Sequence, residues 1–220
     1  KNKRYNSTTW EETLTSKRII SWILNADIIL ESSNHFFKEE FLKSIILQVN
    51  HLKKCLKFEK DEQRLIEILT AILLTGLIFK EYNENLKISL KGIKKIVDDY
   101  FDGDGFPISR NPYNLLKFLK HFILIKECTK EAQEIIPEFI ENILDKNLDC
   151  LKTIITPDQK LPLFNGTNEI HLEEFFNYLS RLNIKPKKLK KDIGFLKILK
   201  HKKDIIYFDF GPPPPRRFSQ

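Results

Sequence analysis

The chain has 220 residues, of which 41% are hydrophobic and 30% charged, a composition typical of a globular protein with one packed domain and a small second unit. No apolar run reaches the ~18 residues of a membrane span, because Lys or Glu interrupts every candidate, and the first residues contain no apolar signal-peptide core. The net charge of +7 and the pI of about 9.1 are compatible either with a surface for polyanions or with lysines spread over solvated helix faces.

The cysteines and histidines point to neither a disulfide framework nor a metal site. Cys55, Cys128 and Cys150 lie on the apolar faces of predicted helices, and their odd number without a CxxC spacing favours free, buried thiols. The five histidines are scattered, and none has a second ligand at helical spacing. We therefore predict no bound metal.

Residues 1–185 are predicted to be helical almost throughout, because apolar residues recur every three to four positions. The segment 65–79 is apolar on nearly all sides, which predicts a central helix buried on two faces. Short loops between helices of similar length favour antiparallel helical hairpins, arranged as a bundle, a solenoid or a toroid. The predicted helices span residues 16–30, 37–56, 65–79, 86–101, 112–128, 132–151 and 172–182.

The pattern changes after Pro186. Residues 194–199 and 204–210 are short, β-branched and aromatic, which predicts two strands joined by a polar connection. Residues 211–215 read GPPPP and are predicted to end the second strand in a polyproline conformation. Because two strands are marginal alone, we expect their sheet to continue beyond the end of this chain.

A basic cluster, KPKKLKK, occupies residues 185–191 between predicted elements. Charge runs of this kind are usually solvated or disordered, which favours a linker. An anionic polysaccharide or a nucleic acid is the alternative partner for such a cluster.

The loop 102–113, DGDGFPISRNPY, does not look like simple scaffold. Its two Asp-Gly pairs predict tight turns, and two prolines bracket an extended piece. It is either a shaped loop that presents polar side chains together, or a turn whose Arg and Asp cap neighbouring helices. The side chains that it would present are Asp104, Ser109, Arg110, Asn111 and Tyr113.

Two further features are candidates for function. In LPLFNGT, residues 161–167, Asn165 and Gly166 predict a turn next to the aromatic side chain of Phe164. Asn50 and His51 lie together on a predicted helix. A histidine there is either a structural residue or an acid, base or switch.

Three segments, in order, resemble a known family: DGDGFPISRNP from residue 102, LPLFNGT from residue 161 and DIIYFDFGPPPP from residue 204. They resemble the bacterial heparinase II/III-like family, in particular its proteobacterial members of unassigned substrate. In that family a helix runs into a D-G-G-H-x-S-R-N-P-like loop, and an L-x-x-F-N-G turn follows two helices later. A sandwich domain then opens with G-Y-x-R-L-like and D-x-G-x-P-P-P-like strands, to which residues 194–199 and 209–215 would correspond. The similarity covers nearly the whole chain.

The resemblance implies a mainly α fold, an α/α toroid of antiparallel helical hairpins followed by the first strands of an antiparallel β-sandwich. Residues 1–185 would form the C-terminal part of the toroid domain. Residues 186–220 would form a linker and the first sandwich strands. We therefore expect this chain to be a fragment of a longer protein.

The resemblance also implies polysaccharide lyase chemistry on uronic-acid polymers such as alginate or heparan sulfate, a glycosaminoglycan. The C5 proton of a uronate is barely acidic, so Asn, His or Arg must neutralise the sugar carboxylate through hydrogen bonds. A Tyr or His then removes the proton and helps to protonate the leaving oxygen in a β-elimination. The reaction requires no redox cofactor.

Carried over by the resemblance, the catalytic candidates are His51, Tyr113 and Arg110. The substrate-binding candidates are Asn50, Asp104, Asn111, Phe164 and Asn165. The implied partner is an acidic polysaccharide rather than a nucleic acid, and the implied location is the periplasm or cell envelope. The free cysteines favour the cytoplasm as the alternative location.

The sequence departs from the family pattern at three points. Tyr113 follows Pro112 directly, whereas the family Tyr comes two residues after its proline. The loop His of the family is replaced by Phe106-Pro107 or their neighbours, and a sandwich-borne catalytic His would lie beyond residue 220. These departures favour, as an alternative, a non-catalytic glycan-binding or cell-envelope protein on the same fold. A second alternative, from the charge, is a basic helical protein that binds polyanions.

Overall fold

The computed structural model describes residues 5–202 and 204–213. Within these residues the chain is mainly α-helical and ends in an antiparallel sheet, as predicted. The helices are α1 (Glu12–Leu24), α2 (Ala26–Leu30), α3 (His35–Cys55), α4 (Glu62–Ile78), a 3-10 turn (Lys80–Tyr82), α5 (Asn83–Tyr100), α6 (Pro112–Glu131), α7 (Glu138–Ile154) and α8 (Glu173–Arg181), and the strands are β1 (Asp192–Ile193), β2 (Leu196–His201) and β3 (Asp204–Asp209).

The chain divides into two compact units. The first contains the residues up to 96 together with 124–135, and the second contains residues 97–123 and the chain from 136 onward. Helices α5 and α6 therefore each contribute residues to both units. The domain boundary predicted between residues 185 and 186 stays a prediction.

The core of the first unit lies between α1, α3 and α4. Ile19 of α1, Ile45 and Leu52 of α3, and Ile68 and Ile72 of α4 are all almost completely buried in one cluster. Burying side chains of this size contributes about 1.5–3 kcal/mol each. The three-to-four spacing of these residues is therefore what holds the three helices together.

Helix α4 is the central helix that the sequence predicts. Every residue from Ile66 to Gly76 is buried, including Glu67 and two threonines. At Gly76 a Cβ would come within 2.6 Å of the Leu86 backbone nitrogen, so a larger residue would push α5 away. The prediction of a helix buried on more than one face is confirmed.

One predicted helix, residues 16–30, is wrong as a single element. The structure has two helices there, with Asn25 between them at φ −114° and ψ 18°. The Asn25 side-chain amide donates a hydrogen bond to the Ser21 carbonyl at 2.8 Å. Asparagine competes for backbone groups in this way, which ends α1 although the apolar spacing continues.

The predicted helix 132–151 begins later than its pattern indicates. Helix α7 starts at Glu138, directly after Pro137. A proline in a helix interior would lose a hydrogen bond and clash with the preceding turn, whereas at a helix start it does neither. Gln133, at φ 56°, ends the preceding helical segment.

The second unit is built around a cluster of aromatic side chains. Tyr100, Phe101, Phe118 and Phe122 pack against one another, with ring centroids 4.7–6.2 Å apart. Phe106, from the loop between α5 and α6, is fully buried. Aromatic pairs at these distances add about 0.5–1.5 kcal/mol beyond the area that they bury.

The three strands pair in the order β1-β2-β3, all antiparallel. Leu196 and Ile198 of β2 are buried on one face, whereas Leu199 of β2 and Phe208 of β3 are exposed on the other. The predicted strand 194–199 starts two residues too early, because Gly194, at φ 54°, lies in the turn between β1 and β2. Of the predicted polyproline segment 211–215, Pro214 and Pro215 lie outside the described residues.

The basic segment 185–191 contacts α7. The backbone nitrogens of Lys187 and Lys188 donate hydrogen bonds to Asp149 Oδ1 of α7, at 2.6 and 2.9 Å. The ammonium of Lys187 pairs with Asp145 one turn earlier. The segment lies between α8 and β1 outside any helix or strand, and carboxylates of α7 bind part of it. The assignment of this segment as an interdomain linker stays a prediction.

The three cysteines are free, with Cys150 buried and Cys55 and Cys128 half-buried. Burial raises the pKa of each thiol, to about 12 for Cys150 and about 11 for the other two.

In the part of the chain that the structure describes, no helix combines the length and apolar character of a membrane span.

Candidate functional site

The turn formed by residues 102–106 is organised by the side chain of Asp102. Its Oδ1 accepts hydrogen bonds from the backbone nitrogens of Asp104 and Phe106, each at 2.9 Å. Burial, with the nearby charge of Asp104, raises the pKa of the Asp102 carboxyl in spite of these bonds. The Asp-Gly pairs therefore form a tight turn, as the sequence predicts.

The same turn is seated on α7. Gly105 has φ 82°, and a Cβ there would lie 2.5 Å from Lys146 Cβ. Asn147 Nδ2 donates a hydrogen bond to the Gly105 carbonyl at 2.6 Å, and Lys146 Nζ donates to the Gly103 carbonyl at 3.0 Å. Only glycine combines this conformation with so close an approach to a helix.

Asp104, a predicted substrate-binding residue, is engaged within the protein. Its Oδ1 lies 2.9 Å from Lys190 Nζ, and its Oδ2 accepts a hydrogen bond from the Gly194 nitrogen at 2.9 Å. Burial raises the pKa of this carboxyl, but the Gly194 and Lys190 contacts outweigh it, so the pKa lies below its usual value. The loop is thereby attached to the start of the sheet.

Arg110, Asn165 and Asp209 meet at one point, although they come from three separate segments. Arg110 Nε donates to Asp209 Oδ2 at 2.9 Å, and Arg110 Nη1 donates to the Pro212 carbonyl at 2.9 Å. Asn165 Nδ2 donates to the same Asp209 oxygen at 3.2 Å and to the Arg110 carbonyl at 3.0 Å. The Arg110 side chain is only 12% exposed. We call Arg110, Asn165 and Asp209 the three-segment junction.

The charge of Asp209 is stabilised at this junction. Burial raises the pKa of the Asp209 carboxyl, but hydrogen bonds from Arg110, Asn165 and the Gly211 nitrogen outweigh it and bring the pKa below its usual value. Gly211 lies close to the pair, and a Cβ there would meet Arg110 Nη1 at 2.9 Å. The junction is thus a packed ion pair with a specific geometry.

Asn111 caps the start of α6. Its Oδ1 accepts hydrogen bonds from the Tyr113 nitrogen at 2.8 Å and from the Asn114 nitrogen at 3.3 Å. Thr167 Oγ1 donates to the same oxygen at 2.9 Å, which connects this cap to the Asn165-Gly166 turn. Pro112 follows as the first helical residue, the position that suits proline best.

Behind this cap lies a buried polar cluster. Asn114 Nδ2 donates to Tyr100 Oη at 2.9 Å and to Ser109 Oγ at 3.2 Å, and the two hydroxyl oxygens are 3.3 Å apart. All three residues are buried. The Ser109 hydroxyl therefore holds the loop in place and is not presented at its surface.

Of the five candidate residues of this loop, Tyr113 is the one that is exposed as a whole residue. It occupies the first turn of α6, and 43% of its surface is exposed. Its backbone nitrogen is held by the Asn111 cap.

A groove of about 570 Å³ is lined by Tyr207 of β3 and by part of the segment that connects α7 to α8. The lining residues of that segment are Thr156, Asp158, Lys160, Leu161, Pro162, Leu163, Phe164 and Glu169. The Phe164 and Tyr207 rings form one wall, with centroids 5.6 Å apart. Tyr207 Oη donates to the Ile154 carbonyl at 2.6 Å, and burial raises its pKa to about 12. The polar side consists of Asp158, Lys160 and Glu169. We call it the aromatic groove. It contains Phe164, which the sequence analysis predicts to bind substrate.

Asn50 and His51 belong to the first unit, on α3. His51 Nε2 lies 2.9 Å from the Trp10 carbonyl, and its ring is edge-on to those of Trp10 and Tyr5. A donor on Nε2 leaves the basic lone pair on Nδ1. Asn50 is exposed. The loop candidates Asp104, Arg110, Asn111 and Tyr113 belong to the second unit.

Sequence reasoning missed several residues of this region. Asp209 and Lys190 were assigned to a strand motif and a linker, and no short-range pattern relates them to Arg110 and Asp104. In β3, Tyr207 is half-buried and its neighbours Ile206 and Phe208 are exposed. Side chains alternate between the two faces of a strand, so this alternation could have indicated that Tyr207 lies on the inner face, where it lines the aromatic groove. Among the described residues, no group of three His, Cys, Asp or Glu side chains is placed to hold a metal ion.

Comparison with solved structures identifies the fold. Heparinase III, solved as the BT4657 gene product with methylated lysines, superposes with a TM-score of 0.71 at 14% sequence identity, over 91% of this chain and 35% of that one. A second heparinase III structure gives a TM-score of 0.63 at 16% identity, over 83% of this chain and 30% of the other.

No family model and no curated protein matches the sequence. The chain spans about a third of the length of the heparinase III structures that it resembles. At this identity the likeness concerns the fold, and it agrees with helices followed by antiparallel strands. The chain has a heparinase II/III-like fold over most of its length.

Proposed function

We propose that this chain belongs to a polysaccharide lyase-like protein that cleaves a uronic-acid-containing polysaccharide by β-elimination. The observation that carries the proposal is the heparinase III-like fold over 91% of the chain. Because the chain spans 35% of that structure's length, the proposal concerns the activity of the whole protein.

The proposed reaction breaks the C5–H and C4–O bonds of the uronate and forms a C4=C5 double bond. A base takes the C5 proton, an acid protonates the leaving C4 oxygen, and the product carries an unsaturated uronate end. The step needs a hydrogen-bonded or charged group to neutralise the sugar carboxylate, since otherwise the C5 proton is not acidic enough. It consumes neither an oxidant nor a reductant.

Among the candidates, Tyr113 fits the role of the acid–base residue best. Its side chain is exposed, and its backbone is fixed by Asn111 and Thr167 at a helix start. The same residue can remove the C5 proton and then protonate the leaving oxygen. For the first unit by itself, catalysis by His51 and substrate binding by Asn50 stay proposals that rest on the sequence resemblance.

We assign positioning roles to Arg110, Asn111, Asn165 and Asp104. The polar atoms of these side chains are engaged with Asp209, the α6 backbone and Lys190 within the protein. They would fix the loop that carries Tyr113, while Phe164 and the aromatic groove would contact sugar rings. Aromatic faces next to ion-paired side chains suit the alternating CH and OH faces of a sugar.

The test is an assay of the full-length protein on a panel of uronate polymers, including heparan sulfate, alginate and polygalacturonate. Ultraviolet absorbance from unsaturated uronate ends, rising with time and with enzyme concentration, is the expected result. A folded full-length protein that produces no such absorbance on any polymer of the panel would remove the lyase proposal.

A second candidate function is non-catalytic binding of an acidic glycan on the same fold. It is favoured by the internal engagement of Arg110, Asn111 and Asn165, which leaves few polar groups of this loop for substrate. Binding of a uronate oligosaccharide without any unsaturated product would support this candidate over the first. Residence in the periplasm or cell envelope is part of both proposals.

A further inference from the structure

A second, smaller groove carries positive charge and has no assigned role. It has a volume of about 300 Å³ and lies between the C-terminal end of α7, the turn after it, and the β2–β3 hairpin. Its charged residues are Lys152, Lys200 and Lys202, and its apolar residues include Pro157, Leu189 and Ile205. We call it the lysine groove.

The three lysines come from three different local structures. Lys152 lies in the last turn of α7, and its ammonium is 5.3 Å from the centre of the Phe176 ring. Lys200 is on β2 opposite Ile205, which brings its side chain to the face of the sheet that bears Ile198. Lys202, at φ 53°, occupies the turn after β2. Their convergence is therefore a product of the fold and not of a charge run in the sequence.

Among the residues that the structure describes, the ammonium groups of this groove have no carboxylate partner. No carboxylate lines the groove, and within residues 5–202 and 204–213 no ion pair joins Lys152, Lys200 or Lys202 to an Asp or Glu. Burial and the charge of Lys152 lower the pKa of the Lys200 ammonium. By contrast, Lys187 and Lys190 in the same unit each have an Asp partner.

We infer that the lysine groove binds an anionic group, a sulfate or a carboxylate, of an acidic polysaccharide, at a site separate from the loop that carries Tyr113. An anion placed between Lys152 and Lys200 relieves their repulsion, and a partly enclosed position strengthens the attraction relative to an open surface. The apolar side, with Leu189 71% exposed, offers contact for the CH face of a sugar ring.

A nucleic acid also carries anionic groups, but the groove suits it less well. Single-stranded nucleic acids are held by aromatic side chains that stack on successive bases, in addition to a basic track. None of the residues that line the lysine groove is aromatic. An acidic polysaccharide needs only charge and an apolar ring contact, both of which the groove supplies.

This inference rests on the proposed function for the class of ligand, an acidic polysaccharide, but does not depend on the β-elimination.

The test measures binding of three labelled probes of equal length to the full-length protein: a heparin-derived hexasaccharide, a hexagalacturonate and a single-stranded RNA hexamer. The variant is Lys152→Gln/Lys200→Gln. The matched control is Lys185→Gln/Lys197→Gln, which removes the same charge from the exposed Lys185 and from the opposite face of β2.

The expected result is that Lys152→Gln/Lys200→Gln weakens binding of one or both acidic hexasaccharides about five- to tenfold, since each exposed charge contact is worth only a modest free energy. The control should stay within about twofold of the parent protein. Lys152→Arg/Lys200→Arg should restore binding, which shows that charge and not packing was lost. Thermal unfolding of each variant verifies that it is folded.

Equal weakening by the groove and control variants would overturn the inference, because it would mean that net charge alone governs binding. So would unchanged binding in the groove variant, or tighter binding of RNA than of both sugars. The lyase proposal is judged separately, by ultraviolet absorbance. If the groove variant binds the acidic hexasaccharides more weakly but the parent protein forms no unsaturated product, only the lyase proposal is rejected. If the parent protein forms product but the groove variant binds as the parent does, only the inference about the lysine groove is rejected.

Discussion

Arg110 and Asp209 form an ion pair across 99 residues of sequence, with Arg110 Nε 2.9 Å from Asp209 Oδ2. Both are held by further contacts, Arg110 by the Pro212 carbonyl and Asp209 by Asn165. The pair joins the loop before α6 to the end of β3. It is therefore expected to contribute to the stability of the second unit more than an exposed salt bridge does.

Arg110→Ala should destabilise the protein by about 2 kcal/mol, because it leaves a partly buried Asp209 carboxylate without its charged partner. The measurement is the free energy of unfolding in urea. Lys43→Ala is the control, since Lys43 forms an exposed pair with Glu39 within α3 and should cost less than about 0.5 kcal/mol.

A double-mutant cycle with Asp209→Asn identifies the source of the effect. If the two residues act through each other, the double variant should lose clearly less than the sum of the single losses. Additive losses would contradict the assignment of the pair as a joint between the two segments.

Two glycines of the same turn should respond differently to alanine. At Gly105 the backbone has φ 82° and a Cβ would clash with Lys146, so Gly105→Ala should cost about 2 kcal/mol or more. At Gly103 nothing lies within 4 Å of the added Cβ, and Gly103→Ala should be neutral within about 1 kcal/mol. Thermal or urea unfolding measures both. Similar losses at the two positions would mean that the turn is not seated on α7 as described.

Stability should fall in acid partly because of Asp104. Its pKa in the folded state is below the ordinary value of 3.8, since the Gly194 and Lys190 contacts outweigh the effect of burial. A depressed carboxyl pKa stabilises the folded state above the unfolded pKa, and that stability is lost as the pH falls through about 4 and below. The free energy of unfolding of Asp104→Asn should therefore depend less on pH between pH 6 and 3 than that of the parent.

Asp102, in the same turn, should affect the pH dependence of stability in the opposite direction to Asp104. Burial raises its folded-state pKa, so its contribution is present at low pH and is lost as the pH rises through the region above 3.8. Asp102→Asn should steepen the loss of stability on acidification relative to the parent. If both variants change the pH profile in the same direction, the electrostatic account of this turn is wrong.

The helices were predictable because each buries one apolar face, and apolar spacing is a local property. The errors arose where one residue overrides the spacing, as Asn25 does by bonding to Ser21 and Pro137 does by excluding a helix interior. In both cases the local pattern of apolar residues is correct, but a single polar or cyclic residue sets the boundary.

The candidate region was predictable as segments but not as an arrangement. The resemblance placed Arg110, Asn165 and the strand ending in Asp209 in one family pattern, yet it gave Arg110 and Asn165 roles toward substrate. In the structure both side chains bind Asp209, and their roles toward substrate stay predictions. Such long-range pairing depends on tertiary packing, for which no spacing rule exists, and the same holds for Asp104 with Lys190.

Phe164 should contribute to glycan affinity if the aromatic groove binds sugar. Phe164→Ala removes one ring of the pair with Tyr207 and should weaken binding of a uronate hexasaccharide about tenfold, the cost of about 1.4 kcal/mol of lost contact. Phe208→Ala is the matched control, because Phe208 follows Tyr207 in β3, faces the opposite side of the sheet and is 49% exposed. Calorimetric titration of both variants measures the difference. Equal losses would remove the groove from the binding surface.

Tyr113→Phe tests the proposed chemistry directly, on the full-length protein with any polymer that yields unsaturated product. Loss of the phenolic proton should lower kcat about 10²- to 10⁴-fold, the usual contribution of a general acid–base residue, with KM changed little because the ring is retained. Tyr178→Phe is the control, since Tyr178 lies on α8 and is similarly exposed at 40%. Full activity in Tyr113→Phe would assign the base to another residue, with His51 as the next candidate. A parallel loss in Tyr178→Phe would point to an effect on folding, because Tyr178 has no proposed contact with substrate.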